Sequence, residues 1–373
     1  MPTLEFVLPG DPRTCTGGYE YDRRVVAGLR ALGWTVRVHP LAASFPWPDP
    51  AERAATARVF AALPDGATVV VDGLAFGALP ELAAREATRL RLLALVHHPL
   101  ALEGGLAADA AERLRASERA ALAHARGVIV TSAATARQLV DFAVPAARIA
   151  VVEPGTEPAP LARGSGGPAV QLLCVATLTP RKGHAQLFEA LAPLAHHDWR
   201  LDCVGSAAHD PATVARLRQA LATPVLGPRV RLYGELEPPA LAAAYDRADL
   251  FVLAASHEGY GMAAAEALAR GLPLVATAVG ALPGLAGSAV SDESGVGADA
   301  TDEGACGVRV ARHATGLLVA PDDVVALRAA LDRMLGDASL RAQCAAAAVQ
   351  QRETLPRWSD ACARFAQALT ALA

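Results

Sequence analysis

The feature that most constrains this chain is a rhythm that occurs twice. Short apolar segments alternate with amphipathic ones, first from Leu4 to Val152 and again from Gln171 to Pro321. Continuous apolar runs of strand length separated by helical patterns are how an open parallel sheet covered by helices is written. The first half reads as strands near Leu4–Leu8, Thr35–Val38, Thr68–Val71, Leu92–Val96, Val128–Thr131 and Ile149–Val152. Between the first two, Tyr19–Leu32 is predicted helical, with Val25, Val26, Leu29 and Leu32 on one stripe and Gly33 where a left-handed residue ends a helix. Asp109–Ala125 is a second amphipathic helix. The stretch from Glu153 to Val170 is dense in Pro and Gly, the composition of an exposed connection, and the same grammar restarts after it. The expectation is an α/β protein of two Rossmann-like doubly wound domains. Residues 1–160 form the first and 161–355 the second, with a terminal helix in 356–373 that crosses back to the first. Residues 287–312, rich in Gly, Ser, Asp and Glu, read as an inserted loop.

Composition removes several classes of function. The 373 residues suffice for two cores, and 53% hydrophobic against 19% charged residues excludes a disordered chain. Lys+Arg 34 against Asp+Glu 38 leaves −4, so the basic field that a nucleic-acid backbone requires is missing. Glu5 sits in the first apolar run with no basic segment before it, which argues against a secretory signal. No apolar run approaches the ~18 residues of a membrane span. Six cysteines, Cys15, Cys174, Cys203, Cys306, Cys344 and Cys362, lie far apart without a C-x-x-C pair and read as reduced thiols. A soluble cytoplasmic protein is expected, without a transmembrane segment but with room for peripheral membrane contact.

Lys182 is the only lysine, and asparagine is absent, in a chain rich in Ala and Arg. Such a bias fits a genome that disfavours A-rich codons. An ammonium retained against it is either chance or a compact point charge that Arg cannot replace. Its context is the first of three loops that follow strands, where open parallel sheets bind ligands. In CVATLTPRKGH, Arg181-Lys182-Gly183 precedes a helix. Cations there oppose the helix dipole unless they join its free N–H groups in holding an anion such as a diphosphate; the alternative is a solvated pair of surface charges. In the second loop, His257-Glu258-Gly259-Tyr260-Gly261 forms a turn before a helix that starts near Met262. Glu258 lies in the turn and Glu266 about one helical turn beyond its start, so the two acids can grip different hydroxyl sets of one extended ligand. Read separately, Glu258 is also a capping acid and Glu266 a solvent-facing helix residue.

These motifs carry a resemblance. Glu258 and Glu266, seven residues apart within SHEGYGMAAAEALARGLPLVAT, resemble the E-x7-E signature of the GT-B fold, family 4 type (group 1) retaining glycosyltransferases. TLTPRKGH, VGS around Gly205, LYGEL with Leu236 and TGLLVAPDD follow in that family's order, and Gly17-Gly18 resembles its N-terminal glycine loop. The resemblance implies transfer of a sugar from a nucleotide-diphosphate sugar to a small-molecule, glycan or lipid acceptor. Lys182 and Arg181 would neutralise the leaving diphosphate. Glu266 would bind the ribose hydroxyls and Glu258 would orient the donor sugar. Amides near Gly259, Tyr260, Gly261 and Met262 would touch phosphate or sugar, and Gly234-Glu235-Leu236 would lie along the base. Where relatives carry Arg before the leucine of the first loop, this chain has Thr177.

The third loop, LVHHPLALEGG, places His97 and His98 after a strand, facing the expected cleft. The resemblance implies that one of them, with some preference for His97, contacts the transferred sugar or acceptor. A metal reading lacks a third ligand at recognisable spacing. No D-x-D triplet occurs, so no resident metal and no cofactor beyond the donor are expected. Retention of configuration is implied by the family, by front-face attack or, as a lesser route, by covalent displacement on Glu258. Two other readings stand beside it: a non-catalytic nucleotide-sugar or glycan-binding protein, and an oxidoreductase, which lacks its G-x-G-x-x-G after a first strand.

Overall fold

The computed structural model describes residues 1–287, the backbone of 301–303, and 309–373. It divides into two compact units, Met1–Gly155 with Pro356–Ala373, and Thr156–Leu355.

The first unit is built on six strands, β1 (Thr3–Pro9), β2 (Thr35–Leu41), β3 (Thr68–Asp72), β4 (Arg91–Val96), β5 (Gly127–Val130) and β6 (Ile149–Val151). They lie in the order β2-β1-β3-β4-β5-β6, and every pair is parallel. The unbroken apolar runs follow from this, because a parallel sheet covered on both faces buries both sides of each strand. Leu92, Leu93, Ala94 and Leu95 are all fully buried. The helix Gly17–Ala31 starts two residues before the sequence reading, buries Tyr21, Asp22, Val25, Val26 and Leu29, and ends before Gly33, whose φ is 87°. The terminal helix Trp358–Leu372 packs on it: Cys362 lies where Gly28 leaves no room for a side chain, and Trp358 and Phe365 border the Tyr21 ring.

The second unit contains β7 (Val170–Val175), β8 (Trp199–Val204), β9 (Val230–Gly234), β10 (Leu250–Leu253), β11 (Leu274–Thr277), β12 (Thr301–Glu303), β13 (Arg309–His313) and β14 (Gly316–Val319). Their order is β12-β13-β14-β11-β10-β7-β8-β9, parallel from β14 to β9. Two Rossmann-like parallel sheets are thus present. The inserted-loop reading of 287–312 needs correction: Arg309–His313 runs antiparallel to β14, and Thr301–Glu303 pairs with it in turn. Within Arg309–His313 only Val310 is buried, so the side chains leave little strand patterning and the pairing to β14 defines the strand. The rest of that segment, 288–300 and 304–308, lies outside the described residues.

Connectivity locates the candidate sites. In the first unit the chain leaves β1 for β2 on one side and then crosses to β3 on the other. In the second it leaves β7 for β8 and β9, then crosses to β10. Such reversals open a crevice at the carboxyl ends of the central strands. The loops after β1, β3 and β4 border one reversal, and those after β7 and β10 border the other.

Candidate functional site

In the second unit, the loops after β7 and β10 are sewn together. Pro180–Lys182 forms one turn of 3-10 helix, Gly183 adopts φ 70°, and the helix His184–Leu191 follows. A side chain at Gly183 would strike the Ala254 carbonyl, so only glycine lets the Lys182 backbone approach the end of β10 this closely. The Ser256 N–H donates to the Arg181 carbonyl at 2.9 Å, and the Arg181 guanidinium donates to the His257 carbonyl at 3.0 Å. The Lys182 ammonium donates to a Glu258 carboxylate oxygen at 2.5 Å, and both side chains are 14% exposed. The sole lysine therefore faces the first acid of the E-x7-E pair instead of bulk water. Arg181 spends at least one donor on the neighbouring loop.

Gly261, at φ 95°, turns the chain into the helix Met262–Ala269. The Tyr260 side chain packs into the core, Met262 borders it, and Gly259 and Gly261 flank that anchor. Glu266 accepts a hydrogen bond from the Tyr245 hydroxyl at 3.0 Å, and Arg270 lies over the Tyr245 ring. Burial, then the Glu266 charge, holds the Tyr245 phenol well above its ordinary value, so it remains a donor. Gly205 ends β8 with its Cα against the Ala176 carbonyl, and Leu236 is half-buried after β9.

In the first unit, Gly17 and Gly18 open the helix that follows β1, and Gly18 packs against the His97 ring, where a methyl group would sit 3.3 Å from Cδ2. His97 Nε2 lies 3.1 Å from Asp22 and 3.3 Å from Asp72. Burial opposes charge on this ring, but the two carboxylates outweigh it and raise the His97 pKa; burial also raises Asp22. His98 turns elsewhere and pairs with Glu103 at 3.0 Å. The sequence reading missed Asp22 and Asp72, although both left a signal. Asp22 lies on the stripe it shares with Val25, Val26 and Leu29, and Asp72 ends an otherwise apolar strand.

The missing third donor beside the paired histidines is thus supplied from 75 residues away by Asp22 and also by Asp72. The three donor atoms lie within 4.8 Å of one another, as do those of His196, His197 and Asp332. In the buried set, the two carboxylates favour a proton on the His97 ring, which a metal-binding ring nitrogen would have to give up.

Residues 163–351 match the family described as Glycosyl transferases group 1. The chain belongs to that family. Residues 16–159 match Glycosyltransferase Family 4. Among curated relatives of this group 1 member, D-inositol 3-phosphate glycosyltransferase of Kineococcus radiotolerans is 29% identical over 248 residues, 61% of this chain and 53% of that one. The Corynebacterium efficiens protein of the same name is 33% identical over 147 residues, 37% of this chain and 35% of that one. The matches thus span between a third and about half of those relatives' length. Sucrose-phosphate synthase of Thermosynechococcus elongatus shares the fold with a TM-score of 0.78 at 20% identity, over 98% of both chains. HepE of Anabaena, solved in complex with UDP-glucose, gives 0.72 at 15% identity over 98% of this chain and 99% of that one. These neighbours establish the GT-B fold expected from the motifs. Among the described residues, no helix is long and apolar enough to cross a membrane.

Proposed function

We propose that this protein transfers a glycosyl group from a nucleoside-diphosphate sugar to a hydroxyl acceptor, with retention of configuration and without a resident metal. The observation that carries the reading is the Lys182–Glu258 pair at the β7/β10 reversal, with Glu266 about one turn into the following helix. Breaking the bond between the sugar C1 and the phosphate oxygen leaves positive charge on the ring and negative charge on the diphosphate. Lys182 and the amides at the start of His184–Leu191 meet the second charge, and a fixed donor of this kind contributes roughly 3–4 kcal/mol to such a step. When the diphosphate takes the ammonium, the Glu258 carboxylate turns to the donor-sugar hydroxyls. Glu266, oriented by Tyr245, accepts from the ribose.

The acceptor oxygen attacks C1 on the face the diphosphate leaves, and its proton passes to the departing phosphate oxygen. His97, held charged between Asp22 and Asp72, donates to the sugar or to the acceptor. The chain has no D-x-D triplet for a bridging cation, which is why the ammonium is assigned the phosphate charge. UDP is the first nucleoside diphosphate to test because the HepE neighbour was solved with it. Inositol phosphates are the first acceptors to test because of the curated relatives' names.

The test is calorimetric titration with nucleoside diphosphates, followed by donor turnover in EDTA and NMR of the product's anomeric proton. A binder without turnover would replace transfer with recognition alone. Loss of activity in EDTA that added cation restores would remove the metal-free step, and an inverted anomer would remove retention.

A further inference from the structure

We infer that His196, His197 and Asp332 form a binding site for a divalent transition-metal ion of the zinc class, serving as a structural clip in the second unit. The observation is convergence. His197 Nε2 and His196 Nε2 lie 2.8 and 3.3 Å from the same Asp332 carboxylate oxygen, and the ring centroids are 4.1 Å apart. Neighbouring side chains in an extended chain point to opposite sides. Here the chain turns so that two consecutive imidazoles face one carboxylate. Ligand atoms bound tetrahedrally to zinc at 2.0–2.1 Å stand about 3.3 Å apart, a spacing that the His196–Asp332 distance of 3.3 Å matches and the His197–Asp332 distance of 2.8 Å approaches.

The loop that carries the histidines is held independently of any ion. Arg229 donates to the carbonyls of Ala195 and His197, the His197 N–H donates to Leu194, and buried Trp199 anchors the next residues. Asp332 stands on the helix Val324–Gly336, whose opposite face buries Leu327, Leu331 and Met334. One turn beyond Asp332, Gly336 leaves the space the His197 ring occupies, since a methyl group there would sit 3.2 Å from Cε1. Two nitrogens and one carboxylate oxygen suit zinc, nickel or copper and are a poor set for magnesium or calcium. The exposure of His196 and Asp332 leaves the remaining coordination position to water.

The site precedes β8, at the amino end of a strand parallel to β7, so it lies one strand length, about 16–20 Å, from the Lys182 loop. It therefore has no part in the proposed transfer, and its test does not depend on that reading. A bound ion would tie the loop before β8 to the helix Val324–Gly336.

The experiment is titration of the tag-free full chain with Co2+, read by its visible d–d bands, then with Zn2+ by competition and by melting temperature. One equivalent should bind with micromolar or better affinity, and Zn2+ should raise the melting temperature by linkage. His197→Ala and Asp332→Ala should each weaken binding by about tenfold or more, no less than loss of an outer-shell partner does. Asp22→Asn should leave binding unchanged. Apo melting temperatures verify that each variant folds. No saturable binding below millimolar Co2+, or binding as tight in both surface variants, would overturn the site, as would loss of binding in Asp22→Asn alone.

Discussion

The two sheets reverse in the same way, yet the charges at their reversals are balanced differently. At β1/β3, two carboxylates almost withdrawn from solvent hold one imidazole, so the cluster has an excess of acid. At β7/β10, one ammonium meets one carboxylate, each 14% exposed. Removing the imidazole from Asp22 and Asp72 strands buried carboxylates, which costs several kcal/mol, whereas a diphosphate would replace one ionic partner of Lys182 with another. The first arrangement fixes a side chain. The second is suited to a charged ligand that comes and goes.

That contrast predicts different responses to mutation. Lys182→Ala should reduce turnover by about two to three orders of magnitude, the equivalent of one lost phosphate donor, while the melting temperature moves little. Steady-state kinetics beside thermal melts checks both, and a variant of full activity would remove the exchange of partners. Lys182→Arg should recover only part of the loss, because a planar fork replaces a point charge.

Asp22→Asn attacks the fixed cluster. Removing one negative charge lowers the His97 pKa, so the alkaline limb of the activity profile should move to lower pH, with turnover reduced about tenfold. A profile that merely falls without shifting would make Asp22 a packing residue only. The reciprocal change in the other unit, Glu266→Gln, should leave that limb where it was.

Stability should also depend on pH in one unit more than in the other. In the first unit, burial raises Glu118 to about 8, although its carboxylate accepts from the Leu100 N–H. Its other oxygen has no partner among the described residues. A folded pKa above the unfolded value of about 4.5 means that the folded state holds the proton more tightly. Stability then falls as pH rises from about 4.5 to about 8, by up to about 1.4 kcal/mol per pH unit, and levels off above. Glu118→Gln should flatten that slope and raise the melting temperature at pH 8. Protection of first-unit amides in hydrogen exchange, measured across this range, is the check.

The smallest effect is expected from Tyr245→Phe. Losing one hydrogen bond to Glu266 removes about 1 kcal/mol of orientation, a several-fold rise in donor KM with kcat nearly unchanged. A fall in kcat instead would bring Glu266 into the reaction itself.

Much of the architecture was legible in the order of residues. Strand runs such as Leu92–Val96 and the glycine at Gly33 follow from local rules, because burial on both faces and left-handed helix ends leave marks on neighbouring positions. The β13 strand was less legible: only its backbone pairing to β14 separates it from the polar segment around it. At the candidate sites, Lys182, Glu258 and Glu266 could be singled out by type and spacing. Their mutual arrangement could not, since Lys182 and Glu258 are 76 residues apart. Nor could the choice between adjacent histidines, which turns on Asp22 and Asp72 reaching His97 while Glu103 takes His98.

Periodicity and turn chemistry act over a few residues, so the amino-acid order alone determined two parallel α/β sheets, their punctuation and the loops that follow their strands. Which charges meet is a matter of ångströms between segments far apart in the chain. Only packing of helices on sheets decides that, because Coulomb and hydrogen-bond energies depend on distance and burial, neither of which is written in local spacing.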